Sequence, residues 1–340
     1  MASLASSASA AHETEQEVPI EFQDTNLVIY SDGTVQRTPW SPAQLATACP
    51  SPSDPDQVAT KDIVLNPQHG TMLRLFLPPS PSSGLPVLLY FHGGGFMNFV
   101  TALHPLNAYL TRLAAHCAAL VVSVDYRLAP EHPLPAAYED CFEALLWLEK
   151  QAEMAASGDS RCEAWLADHA DFSRCILIGD SAGGTIVHYV GMQALGHGSW
   201  VSDQEQKRLK HVTLTGMLLC HPFFSCGRDE KQIHDERRRK LLRYLNVTID
   251  SPLVDPLSSS SPPLAAVHLP PSIVFVAGQD MLKHCGIAYH DGLLKAGKES
   301  KLSCREEEEH VFHILKPNSP HIQPFLDEVR DFIHPNLSRN

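Results

Sequence analysis

Five short apolar runs mark the chain from residue 87 onward: Val87 to Phe91, Leu120 to Asp125, Cys175 to Gly179, Leu214 to Leu219 and Ile273 to Ala277. They are unbroken rather than alternating, the pattern of a strand covered on both faces. Between and after them, apolar positions return every three or four residues. That spacing predicts helices over His104 to His116, Ala136 to Ala155, Gly183 to Leu195, Cys285 to Ala296 and His321 to Ile333. Strands alternating with helices predict an α/β fold, a mostly parallel sheet flanked by helices. Two earlier strands, Asp62 to Asn66 and Met72 to Leu77, flank a turn at His69-Gly70, and Lys301 to Glu306 suits a last strand.

The rhythm breaks between about residues 221 and 269. A charged helix over Lys231 to Tyr244 is followed by a Pro/Ser-rich stretch that ends at Ser261-Pro262-Pro263. Because the strand pattern resumes at Ile273, this reads as an inserted cap segment rather than a linker. Residues 20 to 56 carry Pro39, Pro42, Pro50, Pro52 and Pro55, and should wrap a surface. Residues 1–17 read as a disordered tail. The expected organisation is one domain over 18–335, with cap elements at about 18–56 and 221–269.

Composition narrows the function classes. The chain has 340 residues and a formal net charge of −13, a poor match for nucleic acid or an anionic membrane surface. The one basic cluster, Arg237 to Lys240, reads as a solvated helix face. Nine cysteines include no pair of pairs at zinc spacing, so no metal is expected. Cys117, Cys141, Cys175 and Cys220 sit in apolar runs, as small core residues of a reducing compartment. The Ser/Ala-rich start hints at a plastid transit peptide, but no arginine precedes Arg37. No apolar run reaches about 18 residues, so no membrane span is expected, and the placement favoured is cytoplasmic. Oligomeric state is not legible.

The chemistry is concentrated in three places. Ile176-Leu177-Ile178-Gly179-Asp180-Ser181-Ala182-Gly183-Gly184 runs from an apolar strand through Gly-x-Ser-x-Gly into a helix. Such a turn pushes Ser181 out above the sheet as a nucleophile. His92-Gly93-Gly94-Gly95-Phe96 follows directly on a strand, so the amides of Gly93, Gly94 and Ala182 suit an oxyanion hole. His92 itself reads as a bracing ring. Serine needs a base held by a carboxylate, in the chain order Ser, Asp, His. Asp280 ends the strand-and-loop from Ile273, and His310 follows the last strand. Asp291, inside a helical stretch, is the weaker carboxylate, and His313 is the rival base, read as a packing or capping group. Glu306 to Glu309 read as a solvated run whose charge would raise the pKa of His310. Phe96 and Phe99, with the cap, should crowd a substrate pocket and favour short acyl chains.

Together these residues resemble the hormone-sensitive-lipase family of α/β-hydrolases, and within it the plant carboxylesterase branch. The likeness rests on His92 to Phe96, on Gly179 to Gly184, and on Asp125-Tyr126-Arg127-Leu128-Ala129-Pro130-Glu131-His132-Pro133 followed by Asp140. It extends from about Tyr30 to Ile333. The last string reads as a buttress in which Arg127 and Glu131 are able to pair. The resemblance implies a cap formed by the N-terminal segment and the insertion. It also implies a small-molecule ester substrate, hydrolysed without metal or cofactor. Met97-Asn98-Phe99 stands where the family often has Gly-Ser, which should reshape the acyl pocket. Relatives also include lyases, dehydratases and a gibberellin-receptor lineage that lacks the catalytic histidine. Elimination, acyl transfer and hormone-receptor-like binding are therefore the alternatives.

Overall fold

The computed structural model describes residues 18–196, 209–226 and 235–335. The expected tail and the start of the helix expected from Lys231 lie outside the described residues. The chain divides into two compact units, one reaching Pro39 and the other running from Trp40.

The first unit is a three-stranded antiparallel sheet of β1 (Ile20–Asp24), β2 (Leu27–Tyr30) and β3 (Val35–Arg37). Its β2–β3 turn uses Gly33 at φ +87°, while the Asp32 carboxylate accepts from the Thr34 amide at 2.8 Å.

The second unit is built on an eight-stranded sheet. Its strands are β4 (Ala59–Asn66), β5 (Thr71–Leu77), β6 (Leu85–Phe91), β7 (Leu120–Asp125), β8 (Ala170–Asp180), β9 (Leu214–Cys220), β10 (Ser272–Ala277) and β11 (Ser300–Arg305). They lie in the order β11-β10-β9-β8-β6-β7-β5-β4. All pairs from β7 to β11 are parallel, and β5 pairs antiparallel with both β4 and β7. The unbroken apolar runs have their cause here: all seven residues of β6 are buried, with helices on both faces. The edge strand β4 alternates instead, and leaves Val64 exposed.

The helices are α1 (His104–Cys117), α2 (Ala136–Ser157), α3 (Ala164–His169), α4 (Ala182–Ala194), α5 (Glu236–Tyr244), α6 (Lys283–Lys295), α7 (Phe312–Leu315) and α8 (Ile322–Ile333). One core layer packs Leu110 and Leu113 of α1 with Phe325 and Val329 of α8 against Val121 and Phe275 of the sheet. The strand register brings Phe91 level with Gly179, and Asp180 level with Cys220. The carboxyl ends of β6, β8 and β9 therefore finish together, where α/β folds build their sites. Among the described residues, no helix is long and apolar enough to cross a membrane.

Three expectations change. The helix of the insertion is seen only from Glu236, and its basic cluster is not simply a solvated face. Arg238 is buried, donates from Nη2 to the Phe224 carbonyl at 2.9 Å and lies 4.8 Å from the Phe223 ring centre. Its long stem and flat cation suit an aromatic contact inside the fold. Arg127 turns to Asp140, at 2.7 Å, and Glu139, at 3.2 Å, rather than to Glu131. Finally, Cys226 and Cys285 are joined in a disulfide that ties the start of the insertion to α6. Cys117, Cys141, Cys175 and Cys220 are buried free thiols.

Candidate active site

Ser181 closes β8 and opens α4 with φ +54°, a left-handed conformation uncommon for a residue with a Cβ. Strand β9 and the segment just past it hold it there. Its amide donates to the Cys220 carbonyl at 2.8 Å, and its carbonyl accepts from the Phe223 amide at 2.9 Å. The flanking glycines are required by close approach. A Cβ on Gly183 would fall 1.9 Å from the Phe91 carbonyl oxygen, and one on Gly179 would fall 2.4 Å from the Gly183 oxygen.

Ser181 Oγ stands 2.9 Å from His310 Nε2, and His310 Nδ1 stands 2.7 Å from Asp280 Oδ2. A carboxylate can only accept, so Nδ1–H donates to it and Nε2 is left to accept from the serine hydroxyl. The other carboxylate oxygen accepts from the Leu282 amide at 2.9 Å, which fixes the carboxyl plane. The Asp280 side chain is 1% exposed and that of His310 35%, so the pair is closed at the carboxylate and open at the imidazole.

The glycine loop leaves β6 and folds against this group. Gly94 and Gly95 take φ +97° and +62°. A Cβ on Gly93 would lie 2.9 Å from the Asp180 oxygen and 3.2 Å from Ser181 Cβ, so the loop passes directly beside the serine. The amides of Gly93, Gly94 and Ala182 donate to no backbone carbonyl among the described residues. Amide donors left open in this loop and directly after Ser181 can stabilise charge developing on a carbonyl oxygen. His92 stacks on Tyr126, with ring centres 4.3 Å apart, and burial pushes its pKa down. It is a neutral brace for the loop. Phe96 is 1% exposed and meets Tyr138 and Phe223 edge to face, while Phe99 is half-buried against Gly94. Phe96 therefore stands behind the surface, and Phe99 is the more open of the two. From the insertion, the Leu241 side chain of α5 comes within 3.7 Å of where a Cβ on Gly95 would stand.

Two contacts of this neighbourhood escaped sequence reasoning. The Nδ1 atom of His221, just past β9, accepts from the Val311 amide at 2.7 Å and so holds the turn that carries His310. Burial, then His313 and His310, push its pKa well below the usual histidine value, so the ring is neutral. His313 meets Asp180 instead of Ser181. Both pairings span the chain, and nothing local signals them. Asp291 is exposed on α6. The glutamate tract is not free charge. Glu306 meets Lys283 at 2.7 Å, Glu309 meets Lys316 at 3.3 Å, and Glu308 is buried and accepts from Ser319. These partners offset the charge expected to act on His310.

Donor atoms of His221, Asp280 and His310 lie within 4.8 Å of one another, as do those of Asp180, Cys220 and His313. In each group a carboxylate and an imidazole are already joined, at 2.7 and 2.5 Å, and would have to part to admit an ion.

Residues 88–314 match the family described as having the alpha/beta hydrolase fold, and the chain belongs to that family. Its relatives are plant enzymes of the carboxylesterase-like group. It is 38% identical over 301 residues to tuliposide A-converting enzyme 1, chloroplastic, of Tulipa gesneriana, covering 85% of this chain and 71% of that one. It is 33% identical over 350 residues to 2-hydroxyisoflavanone dehydratase of Glycyrrhiza echinata, covering 97% and 100%. It is 30% identical over 319 residues to probable carboxylesterase 7 of Arabidopsis thaliana, covering 90% and 95%.

Proposed function

We propose that the protein is a serine carboxylesterase that hydrolyses small carboxylic esters through an acyl-enzyme. The observation that carries this reading is the contact of Ser181 Oγ with His310 Nε2 beside the backbone amides of Gly93, Gly94 and Ala182. In the first step Ser181 Oγ bonds to the ester carbonyl carbon and its proton passes to His310 Nε2. The carbonyl electron pair moves onto oxygen, facing the three amides. As the tetrahedral intermediate collapses, the C–O bond to the alcohol breaks and His310 returns the proton to the leaving oxygen. Water then repeats the sequence on the acyl-serine and releases the acid. Asp280 keeps the ring oriented and stabilises the imidazolium. Phe99, and Phe96 from behind, bound the acyl side, and α5 of the 221–269 insertion serves as a cap.

The test is hydrolysis of p-nitrophenyl acetate and butyrate by the purified chain. Turnover is expected, faster than for long-chain esters, and Ser181→Ala abolishes it. An equally active Ser181→Ala protein overturns the mechanism. Elimination is the second reading, favoured by the full-length likeness to a protein named a dehydratase. Product analysis separates a free acid from a dehydrated product. We place the activity in the cytoplasm on the ground of the seven cysteines that stay free, against which the Cys226–Cys285 disulfide is the one opposing feature. A fluorescent fusion of the full chain found in plastids would overturn that placement.

A further inference from the structure

Behind Ser181 lies a second hydrogen-bonded chain that the ester mechanism does not use. Asp180, the residue before the serine, is fully buried. Its Oδ1 meets His313 Nε2 at 2.5 Å, and its Oδ2 accepts from the Tyr90 hydroxyl. The Cys220 thiol is a further neighbour, pushed up in pKa by burial and then by this carboxylate. His313 stands three residues after His310, and its side chain is fully buried. Its ring stacks on Phe325 at 4.7 Å and meets Tyr109 edge-on at 4.9 Å. Strands β6, β8 and β9 and helices α1, α7 and α8 all supply atoms to this knot.

A buried carboxylate–imidazole pair is a weak source of stability, because desolvation offsets most of the attraction. What it fixes is position. Ser181 and His310 are 129 residues apart, and their 2.9 Å contact has no covalent restraint. Each sits at or beside a backbone that must be held: Ser181 has φ +54°, and Val311 has φ +47°. The Asp180–His313 contact joins these two strained turns from behind. It is an arrangement that supports a reacting pair without reaching the substrate.

We infer that Asp180 and His313 are positioning residues, whose contact sets the approach of Ser181 Oγ to His310 Nε2, with Tyr90 fixing the second oxygen of the carboxylate. This inference rests on the reading of Ser181 as the nucleophile.

The test compares His313→Leu, His313→Gln and Tyr90→Phe with the unaltered full chain. The His313→Gln side chain keeps an N–H donor near the place of Nε2. Three quantities are measured: the rate of Ser181 labelling by a fluorophosphonate, kcat per titrated active site, and KM for p-nitrophenyl butyrate. Titrating sites removes any misfolded fraction. Displacing a reacting pair by about 1 Å can cost about a hundredfold. His313→Leu is expected to lower both kcat and labelling by about tenfold to a hundredfold, with KM within about twofold, and His313→Gln to restore most of the loss. Tyr90→Phe, which deletes one oxygen, is expected to give a smaller loss of the same kind and decides the matter if His313→Leu does not fold. Unchanged kcat per site and unchanged labelling overturn the inference. A wild-type chain that is not labelled at Ser181 overturns the nucleophile reading itself, which is a distinct result.

Discussion

Asp280 places its two oxygens on two tasks: one meets His310 Nδ1, the other accepts from the Leu282 amide. Asp280→Asn keeps the size of the side chain and the bond to Leu282. It removes the charge that stabilises a protonated ring and allows the wrong tautomer. The expected outcome is a fall in kcat of about 10⁴ with KM little changed, read with p-nitrophenyl butyrate. At this scale the sequence was uneven evidence. Ser181 and the glycine loop stand in short contiguous motifs next to apolar strands, and those are legible. Order along the chain favours His310 as the base over His313, but it does not show what His313 meets, because both follow the same strand. Their contacts differ: His310 meets Ser181, and His313 meets Asp180 across 133 residues. His221 was equally silent, since its role depends on where β9 ends beside Val311.

Among elements, the approach of α4 to β6 sets what the motif can tolerate. Gly183→Ala would place a methyl 1.9 Å from the Phe91 oxygen and 2.9 Å from the His92 oxygen, and both are backbone atoms. The helix or the strand must shift. The expected cost is about 3 kcal/mol, read as a lower urea midpoint, together with loss of Ser181 labelling. The strands were readable because burial on both faces demands unbroken apolar runs. The half of β8 before Cys175 was not, because Asp171 and Arg174 are partly exposed and hide the pattern. The sheet of β1 to β3 was read only as a wrapping segment, since strands of three to five residues carry too little periodicity. The disulfide joins cysteines 59 residues apart, and no spacing rule reaches that far.

For the molecule as a whole, buried imidazoles tie stability to pH. Burial lowers the pKa of His188 to about 3, and lowers those of His92 and His221 as well. In the unfolded chain each returns to about 6.5. Below that pH the unfolded state binds protons that the folded state excludes, so stability present at pH 7 is lost as pH falls. Each ring contributes up to about 1.4 kcal/mol per pH unit. Tm should therefore drop between pH 7 and pH 5, and His188→Gln should flatten that slope by about one proton's worth. A Tm that holds steady or rises over this range would contradict the burial of these rings. The meeting of Leu241 with the glycine loop has a different reach. The groups proposed for bond-making come from strand ends that tolerate almost no change, whereas Leu241 comes from a helix anchored through its neighbours Arg238 and Leu242, so its own side chain is the freer one. On the proposed reading, a change at Leu241 would alter which ester fits beside the glycine loop while leaving the strand ends untouched.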